Sequence, residues 1–453
     1  MRYYLDPFGC VKNQVDAENM MAALDNAGWS SVPEAEEASA ADLIIVNSCG
    51  FIQSAKQESI NAVLGWRKLY PEKKILLTGC LAQRYAKELA ESMPEADGFF
   101  GVKNISKIAE KANSLICEPR SKNSRSPSLE QPPSESPAPH SRPLLSLPGS
   151  AYVKISEGCD NNCSYCAIPL IRGPLHCRPA ADILNECKGL LARGIKELCV
   201  IGQDVCSYRQ KGYDLCKLLN AIARIRGDFW VRLLYMHPDN FSLPILDLMA
   251  NDKRFLPYFD IPFQHASPKI LSAMNRRGTG EKYIELVDAI RSRFPDAVIR
   301  TTFLLGFPGE TEDDFAALLD FQEKIRPDWL GCFTFSREED TAAYSMKGRV
   351  PQKTAALRKW EVEKRQIEIT QKNMDRFVGQ HLEVLLEERF GGEGSLENEA
   401  GGGEKLWIGR LYCHAPEVDG AAVIVGGDGG LGDIVPCKVV ARRGIDLEVR
   451  CIK

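Results

Sequence analysis

Six of the sixteen cysteines fall into two groups of three, and no other feature limits the possible folds of this chain as strongly. One group lies within eight residues, in the spacing C-x3-C-x2-C: Cys159, Cys163 and Cys166. The other group is scattered over residues 10–80, and each member ends a short apolar run (Y-Y-L-D-P-F-G-C, L-I-I-V-N-S-C and I-L-L-T-G-C): Cys10, Cys49 and Cys80. Short apolar runs of this kind are typical of buried strands, so the scattered cysteines are expected where strands end.

The number of cysteines in each group favours reactive metal clusters. Three thiolates can hold three irons of a four-iron cube and leave the fourth iron open, whereas a structural cluster takes four thiolates. An open metal position is characteristic of catalytic sites. The two groups therefore predict two [4Fe-4S] clusters. Because the N-terminus has no apolar leader segment, we expect a reducing, cytoplasmic location, where cysteines bind metal rather than form disulfides.

Size and charge narrow the class of protein further. A length of 453 residues suffices for about three domains, and 44% hydrophobic residues allow packed cores. The net charge of −4 gives no basic excess that would require a nucleic-acid partner. No apolar run approaches the length of a membrane span, so we expect no membrane partner. We also expect a monomer.

Residues 1–117 alternate strand-like and helix-like segments, which predicts a parallel sheet with helices on its faces. Strands are predicted at Arg2–Leu5, Leu43–Val46 and Lys74–Leu77, and helices near Asn13–Gly28, Ile52–Leu69 and Gln83–Ser92. Ligands bind beyond the carboxyl ends of such strands, so the three scattered cysteines should converge at one edge. The alternative is three buried core cysteines, but those would lie inside the strands rather than just past them.

Residues 118–148 are predicted to be a linker, because residues 119–148 contain eight Pro and eight Ser. The alternation restarts in residues 149–376. Six parallel strands are predicted there, at Ala151–Ser156, Glu197–Ile201, Trp230–Tyr235, Tyr258–Ile261, Val298–Leu304 and Trp329–Thr334. Six such strands form a partial (β/α)6 barrel, whose chemistry lies on the loops after the strands. The C-x3-C-x2-C group occupies the first of these loops.

Residues 377–453 show apolar alternation between glycine-rich turns, which predicts a small barrel of about five strands. Barrels of this size often bind nucleic acid. From residue 378 onward, however, thirteen Asp and Glu stand against eight Lys and Arg. This acidic balance is unfavourable for binding a phosphate backbone.

The C-x3-C-x2-C group has a structural zinc site as its alternative, with His176 or Cys177 as the fourth ligand. Two features argue against zinc. The cysteine group follows the first barrel strand, and the aromatic Tyr165 lies just before the last cysteine. The C-x3-C-x2-C spacing, with an aromatic residue just before the last cysteine, resembles the cluster loop of the radical SAM superfamily. The resemblance implies a [4Fe-4S] cluster at Cys159, Cys163 and Cys166, which are then the catalytic cysteines. It also implies that the open iron binds S-adenosylmethionine (SAM), from which a 5′-deoxyadenosyl radical is made.

Two glycine-containing turns fit a nucleoside-type ligand such as SAM. I-G-Q-D ends the second predicted strand, and L-G-F-P-G-E-T ends the fifth. Glycine lets the backbone approach a ligand closely, although an ordinary strand-to-helix turn is the more common meaning of either run. At the loop edge of this barrel we favour SAM binding, and the residues predicted to contact SAM are Tyr165, Gly202, Gln203, Gln264 and Gly306.

The domain order resembles that of the methylthiotransferases, which join an N-terminal α/β domain, a radical SAM barrel and a C-terminal TRAM barrel. The resemblance implies that Cys10, Cys49 and Cys80 hold a second cluster that serves in sulfur delivery. Within the family, G-C-V-K-N-Q-V-D and D-I-P-F-Q-H-A-S are similar to the branch that modifies an aspartate of small-subunit ribosomal protein twelve. That branch implies the ribosomal protein as substrate, two SAM molecules, a reduced electron donor and a sulfur donor.

Two other functions remain open from the sequence. The other branch of the family methylthiolates an adenosine beside the anticodon of tRNA, but the acidic C-terminal barrel matches a basic protein better than tRNA. A protein of another class, a non-catalytic iron–sulfur electron carrier or a ribosome-binding module, has no reason to present SAM-binding turns at the loop edge of a barrel.

Overall fold

The protein contains two compact units. The structure, a computed structural model, describes residues 1–117, 142–390, 406–427 and 429–452. The first unit consists of residues 1–145, 157–176 and 336–344, and the second of residues 146–156, 177–335 and 345–453. Most of the predicted linker, up to residue 141, lies outside the described residues, and the domain boundaries at 117, 148 and 376 stay predictions.

A five-stranded parallel sheet forms the centre of the first unit. Its strands are β1 (Arg2–Pro7), β2 (Ser30–Val32), β3 (Leu43–Ser48), β4 (Lys74–Thr78) and β5 (Gly98–Phe100). They lie in the order β2-β1-β3-β4-β5. The predicted parallel sheet is confirmed. Its two additional strands, β2 and β5, have three residues each, too few to show a pattern in the sequence.

Helices cover both faces of this sheet: α1 (Val11–Asn26), α2 (Gln53–Leu69), α3 (Gly79–Ser92) and α4 (Ile108–Cys117). All six residues of β3 are buried, because a strand covered on both faces reads as a continuous apolar run. Leu43 and Ile45 pack with residues of α1 and α4, whereas Ile44 and Val46 pack with residues of α2 and α3. This alternation gives the sheet one apolar core on each side.

The second unit is built on six parallel strands in the order β15-β14-β13-β12-β9-β6. They are β6 (Ser150–Lys154), β9 (Glu197–Ile201), β12 (Trp230–Leu233), β13 (Phe255–Asp260), β14 (Val298–Leu305) and β15 (Trp329–Thr334). Four strands of two residues each lie between β6 and β12 in the chain: β7 (Ser156–Glu157), β8 (His176–Cys177), β10 (Arg209–Gln210) and β11 (Tyr213–Asp214). The prediction of six parallel strands is confirmed.

Helices connect the six strands, as expected for parallel neighbours that need long crossovers. They are α6 (Ala180–Ala192), α7 (Leu215–Ala223), α8 (Pro244–Ala250), α9 (Pro268–Ala273), α10 (Gly280–Arg293) and α11 (Glu312–Ile325). A capping box at Thr311 and Asp314 fixes the start of α11. A longer helix with many charged residues, α12 (Gln352–Met374), lies between β15 and the C-terminal strands. The short helix α5 (Ile168–Arg172) belongs to the first unit.

The C-terminal strands close into the predicted five-stranded barrel. They are β16 (His381–Phe390), β17 (Leu406–Arg410), β18 (Ala422–Val425), β19 (Ile434–Arg443) and β20 (Asp446–Cys451), in the order β16-β17-β18-β20-β19. β18 and β20 pair in parallel, while the other pairs are antiparallel. Among the described residues, no helix is both long and apolar enough to cross a membrane.

The C-terminal barrel packs against the N-terminal edge of the six-stranded sheet through a buried charge network. Glu197, the first residue of β9, accepts hydrogen bonds from Arg232 Nε at 2.7 Å and from Arg410 Nη2 at 2.6 Å. Arg410 also donates to Glu387 Oε1 at 2.7 Å and to Ser150 Oγ at 2.8 Å. Burial alone would raise the pKa of Glu197, but the charges of Arg410 and Arg232 outweigh it and lower the pKa to about 2.

We predict that Glu197→Gln strongly destabilises the second unit. The substitution leaves Arg232 and Arg410 buried without their shared carboxylate, and breaking a buried ion pair on one side costs about 3–5 kcal/mol. Denaturant unfolding followed by tryptophan fluorescence measures the loss. The control is Glu361→Gln, which breaks an exposed helical pair with Arg365 and should cost about 0.5 kcal/mol or less. Equal effects from the two variants would contradict the proposed importance of the network.

Candidate active site

Three strand ends of the first unit bring Cys10, Cys49 and Cys80 together. Ser48, the last residue of β3, forms a backbone bridge with Gly79, which directly follows β4, so Cys49 and Cys80 each come one residue after this bridge. A Cβ atom built on Gly9 would lie 3.4 Å from Cys49 Sγ, so the residue before Cys10 lies directly against Cys49. Cys10 is exposed, Cys49 is half-buried and Cys80 is buried. The expected convergence of these cysteines at one sheet edge is therefore seen in the structure.

Asn13 holds these strand ends in place. Its Nδ2 donates to Phe8 O at 2.5 Å and to Ser48 O at 3.2 Å. Its Oδ1 lies 3.8 Å from Cys80 Sγ, and its own backbone carbonyl accepts a hydrogen bond from Asn47 Nδ2 at 2.8 Å. Sequence reasoning missed the role of Asn13. The available signal was an Asn three residues after a candidate ligand, because Asn side chains often tie neighbouring backbone segments.

Cys159, Cys163 and Cys166 lie on the loop that joins β7 to α5, and all three are half-buried. Gly158 begins the loop with φ +73°, and a Cβ there would lie 2.1 Å from Pro174 O, so only glycine fits. The Cys166 N–H donates to Cys163 O at 3.0 Å, and the Ile168 N–H donates to Cys166 Sγ at 3.5 Å. Tyr165 is half-buried on the same loop.

The two cysteine groups are neighbours within the first unit. Cys80 packs in a buried apolar cluster with Ala167 and Ile171, from the segment that follows Cys166 in the chain. Arg172 Nη2 donates to Cys80 Sγ at 3.2 Å. Burial raises the pKa of the Cys80 thiol to about 12 although the Arg172 charge opposes the shift, so this thiol must release its proton to bind metal.

Residues 336–344 support the cysteine loop from another side. The Ala343 N–H donates to the carbonyl of Ser164, between Cys163 and Tyr165, at 2.7 Å. Glu338 anchors this segment through ion pairs with Lys56 Nζ at 2.8 Å and Arg84 Nη1 at 2.7 Å, on α2 and α3. Residues 336–344 therefore connect the cysteine loop to helices α2 and α3.

Each cysteine group offers three thiols, which is the kind of donor that iron–sulfur clusters use. Among residues 1–117, 142–390, 406–427 and 429–452, no group of three or more His, Cys, Asp or Glu side chains is placed so as to hold one metal ion. A four-iron cube separates its ligands more widely than a single ion does, and each cysteine group consists of thiols alone. The assignment of all six as cluster ligands stays a prediction.

Other predicted SAM contacts lie at the C-terminal edge of the six-stranded sheet. Gly202 and Gln203 follow β9, Gln264 follows β13, and Gly306 follows β14. Gln264 has φ 69°, a left-handed conformation that is strained for a residue with a side chain. Backbone hydrogen bonds to Thr302 at 2.7 Å and from Leu304 at 2.8 Å hold it there. Strain of this kind concentrates at functional sites, which supports the prediction for Gln264.

Gly306 has a structural role that the sequence pattern did not reveal. Its N–H donates to Glu310 Oε2 at 2.7 Å, so this donor is already used inside the turn. Its φ is +73°, and a Cβ there would lie 2.5 Å from Ala355 Cβ on α12. Glycine is therefore needed for the turn and for helix packing. Any contact of Gly306 with SAM has to use its carbonyl or its Cα surface.

His265 is buried beside this turn and neutral. Its Nδ1 accepts a hydrogen bond from the Ser267 N–H at 3.0 Å, so the ring proton resides on Nε2, 3.8 Å from Glu310 Oε2. Among the described residues Nε2 has no hydrogen-bond partner. Burial lowers the pKa of His265 from 6.5 to about 4.

Three family models match the chain in the order expected from the sequence. Residues 2–101 match an uncharacterized protein family, UPF0004, residues 153–321 match the radical SAM superfamily, and residues 378–452 match the TRAM domain. The C-terminal barrel is thus a TRAM barrel, and the six-stranded sheet belongs to a radical SAM domain.

Curated relatives cover nearly the entire chain. The ribosomal protein uS12 methylthiotransferase RimO of Treponema denticola is 45% identical over 474 residues, which cover 98% of this chain and 99% of that protein. The chain belongs to the RimO family. The RimO protein of Syntrophomonas wolfei is 40% identical, with 97% of both chains covered. The predicted family and branch are confirmed, and the protein is a radical SAM methylthiotransferase.

A solved structure shares the fold of this chain. The radical SAM methyltransferase TsrM of Kitasatospora setae, solved with cobalamin and a [4Fe-4S] cluster, aligns with a TM-score of 0.54. The alignment covers 76% of this chain and 73% of TsrM, with 16% sequence identity.

We predict that His265 makes stability depend on pH. The pKa is about 4 in the folded protein and 6.5 when exposed, so the unfolded chain binds more protons between these values. The free energy of unfolding should therefore fall as the pH drops from 6.5 to 4, by roughly 3 kcal/mol from this residue. Denaturant unfolding at several pH values measures the slope.

His265→Asn isolates this contribution, because Asn Oδ1 can still accept the Ser267 N–H without titrating. The variant should lose stability less steeply than the wild type over the same pH range. An unchanged slope would show that His265 is not held neutral.

Proposed function

We propose that this protein replaces one hydrogen on the β-carbon of an aspartate of ribosomal protein uS12 with a methylthio group. The observation that carries the proposal is the placement of two cysteine groups side by side in one compact unit of a RimO-family chain. The nearly full-length similarity to proteins named uS12 methylthiotransferases supports the substrate. A ribosomal substrate also agrees with the cytoplasmic location expected from the sequence.

Each cysteine group would hold one [4Fe-4S] cluster. Cys159, Cys163 and Cys166 would hold the cluster that binds SAM, and Cys10, Cys49 and Cys80 would hold the second, which serves in sulfur delivery. When bound, the first cluster and SAM supply a 5′-deoxyadenosyl radical. Radical chemistry suits this substrate, because the β-carbon is not acidic enough for a positioned base. A second SAM supplies the methyl group, and electrons come from a reduced donor.

The chain's own residues would position these groups. The Ser164 carbonyl and the Glu338 ion pairs hold the cysteine loop, and Asn13 holds the three strand ends. The residues that would contact SAM in the radical SAM domain are Gly202, Gln203, Gln264 and the Cα surface of Gly306, and on the cysteine loop Tyr165.

The TRAM barrel would attract the basic substrate from a distance rather than hold the reacting aspartate. Of its thirteen acidic and eight basic residues, Glu387, Asp419 and Arg410 have side chains buried at the contact with the six-stranded sheet, which leaves eleven against seven. This contact lies at the N-terminal edge of that sheet, whereas SAM is expected at the C-terminal edge. Attraction between exposed charges weakens as salt screens them.

We predict that Cys49→Ala separates SAM cleavage from methylthiolation. The variant retains Cys159, Cys163 and Cys166, so it should still release 5′-deoxyadenosine from SAM. It lacks a ligand of the second cluster, so it should form at most a trace of methylthiolated uS12. Chromatography of the nucleoside and mass spectrometry of uS12 read the two activities from one reaction.

Two further variants complete the test. Cys117→Ala removes an exposed cysteine of the first unit outside both groups and should retain both activities. Cys163→Ala should lose both. Normal methylthiolation by Cys49→Ala would refute the sulfur-delivery role of the second group.

A further inference from the structure

Arg172 connects the two cysteine groups through one buried guanidinium. It is the last residue of α5, six positions after Cys166, and it is only 6% exposed. Its Nη2 donates to Cys80 Sγ at 3.2 Å. Its Nη1 lies 2.9 Å from Asp16 Oδ2 and 2.7 Å from Glu157 Oε1. A single side chain from the segment that follows the C-x3-C-x2-C loop therefore contacts the sulfur of a cysteine from the other group.

The two carboxylates determine where this guanidinium points. Asp16 lies on α1, six residues after Cys10, and Glu157 lies two residues before Cys159. Both form ion pairs with Nη1, and because the guanidinium is planar and rigid, these two contacts orient Nη2 toward Cys80. Arginine is suited to this position, since it stays charged when buried and donates in fixed directions.

We propose that Arg172 is a positioning residue for the second cluster, which fixes the Cys80 sulfur and raises the cluster's reduction potential. Hydrogen bonds to ligand sulfurs and nearby charge are among the factors that set such potentials. A positive charge beside the sulfur stabilises the reduced cluster, which carries one more negative charge. The inference rests on the proposed function, because it requires a cluster at Cys10, Cys49 and Cys80.

The expected result is different if Arg172 only stabilises the fold through its ion pairs. Arg142 provides the comparison, since it is 1% exposed and donates to Glu18 Oε2 on the same helix α1 at 2.7 Å. Both arginines thus fix α1 through a buried carboxylate. Arg172 also donates to the sulfur of a proposed cluster ligand, whereas the hydrogen bond of Arg142 to Glu18 involves only a carboxylate. If Arg172 only stabilises the fold, removing either charge should have the same effect on the cluster.

The experiment starts from a background with only the second cluster. The full chain with Cys159, Cys163 and Cys166 replaced by Ala is reconstituted anaerobically and should contain about four irons. The reduction potential of this cluster is then measured by titration with electron paramagnetic resonance detection. In this background Arg172→Gln should retain the iron and shift the potential to more negative values.

The companion variants separate charge, geometry and stability. Arg172→Lys keeps the charge but loses the planar fork, so it should shift the potential in the same direction by a smaller amount. Arg142→Gln should leave the potential unchanged. If Arg172→Gln fails to fold, Arg172→Lys decides the matter by the same criterion.

Two failures can be told apart. Suppose that the four-iron cluster forms in the background variant, but that Arg172→Gln or Arg172→Lys leaves its reduction potential unchanged. This result would overturn the inference and leave the proposed function intact. Equal shifts from Arg172→Gln and Arg142→Gln would also overturn it. Absence of any four-iron cluster in the background variant would refute the second cluster itself, and the inference with it.

Discussion

Parallel strand pairing is the constraint on which the rest of the structure depends. Parallel strands end at the same edge of a sheet, so residues far apart in the chain meet there without any local contact between them. In the first unit this geometry gathers Cys10, Cys49 and Cys80 from β1, β3 and β4. In the second unit it aligns the turns after β9, β13 and β14 at one edge.

The opposite edge of the six-stranded sheet is closed by the TRAM barrel. The Glu197 network buries two arginines and two glutamates there, and Trp329 Nε1 donates to the Cys413 carbonyl at 2.7 Å. A buried ionic network stabilises little by comparison with apolar packing, but it tolerates no alternative partner because an unpaired buried charge is costly. The network therefore specifies how the barrel docks and leaves the C-terminal edge of the sheet for chemistry.

The sequence was sufficient to predict the elements with long, repeated patterns and the cysteines that follow them. Glu197–Ile201 and Trp329–Thr334 were predicted with their observed bounds, because a buried parallel strand is a continuous apolar run. It was not sufficient for Arg172, whose role depends on a contact with a residue 92 positions earlier in the chain. Nor could it reveal the left-handed backbone of Tyr235 and Gln264, since neither Tyr nor Gln favours positive φ.

The proposed function requires that uS12, and not tRNA, receives the methylthio group. Mass spectrometry of uS12 from cells with and without this protein tests it most directly, with bulk tRNA from the same cells analysed in parallel. Our account predicts an increment of about 46 Da on one aspartate of uS12, the mass of SCH3 replacing H, only when the protein is present. An unchanged uS12 together with the loss of methylthio-adenosine from tRNA would contradict it.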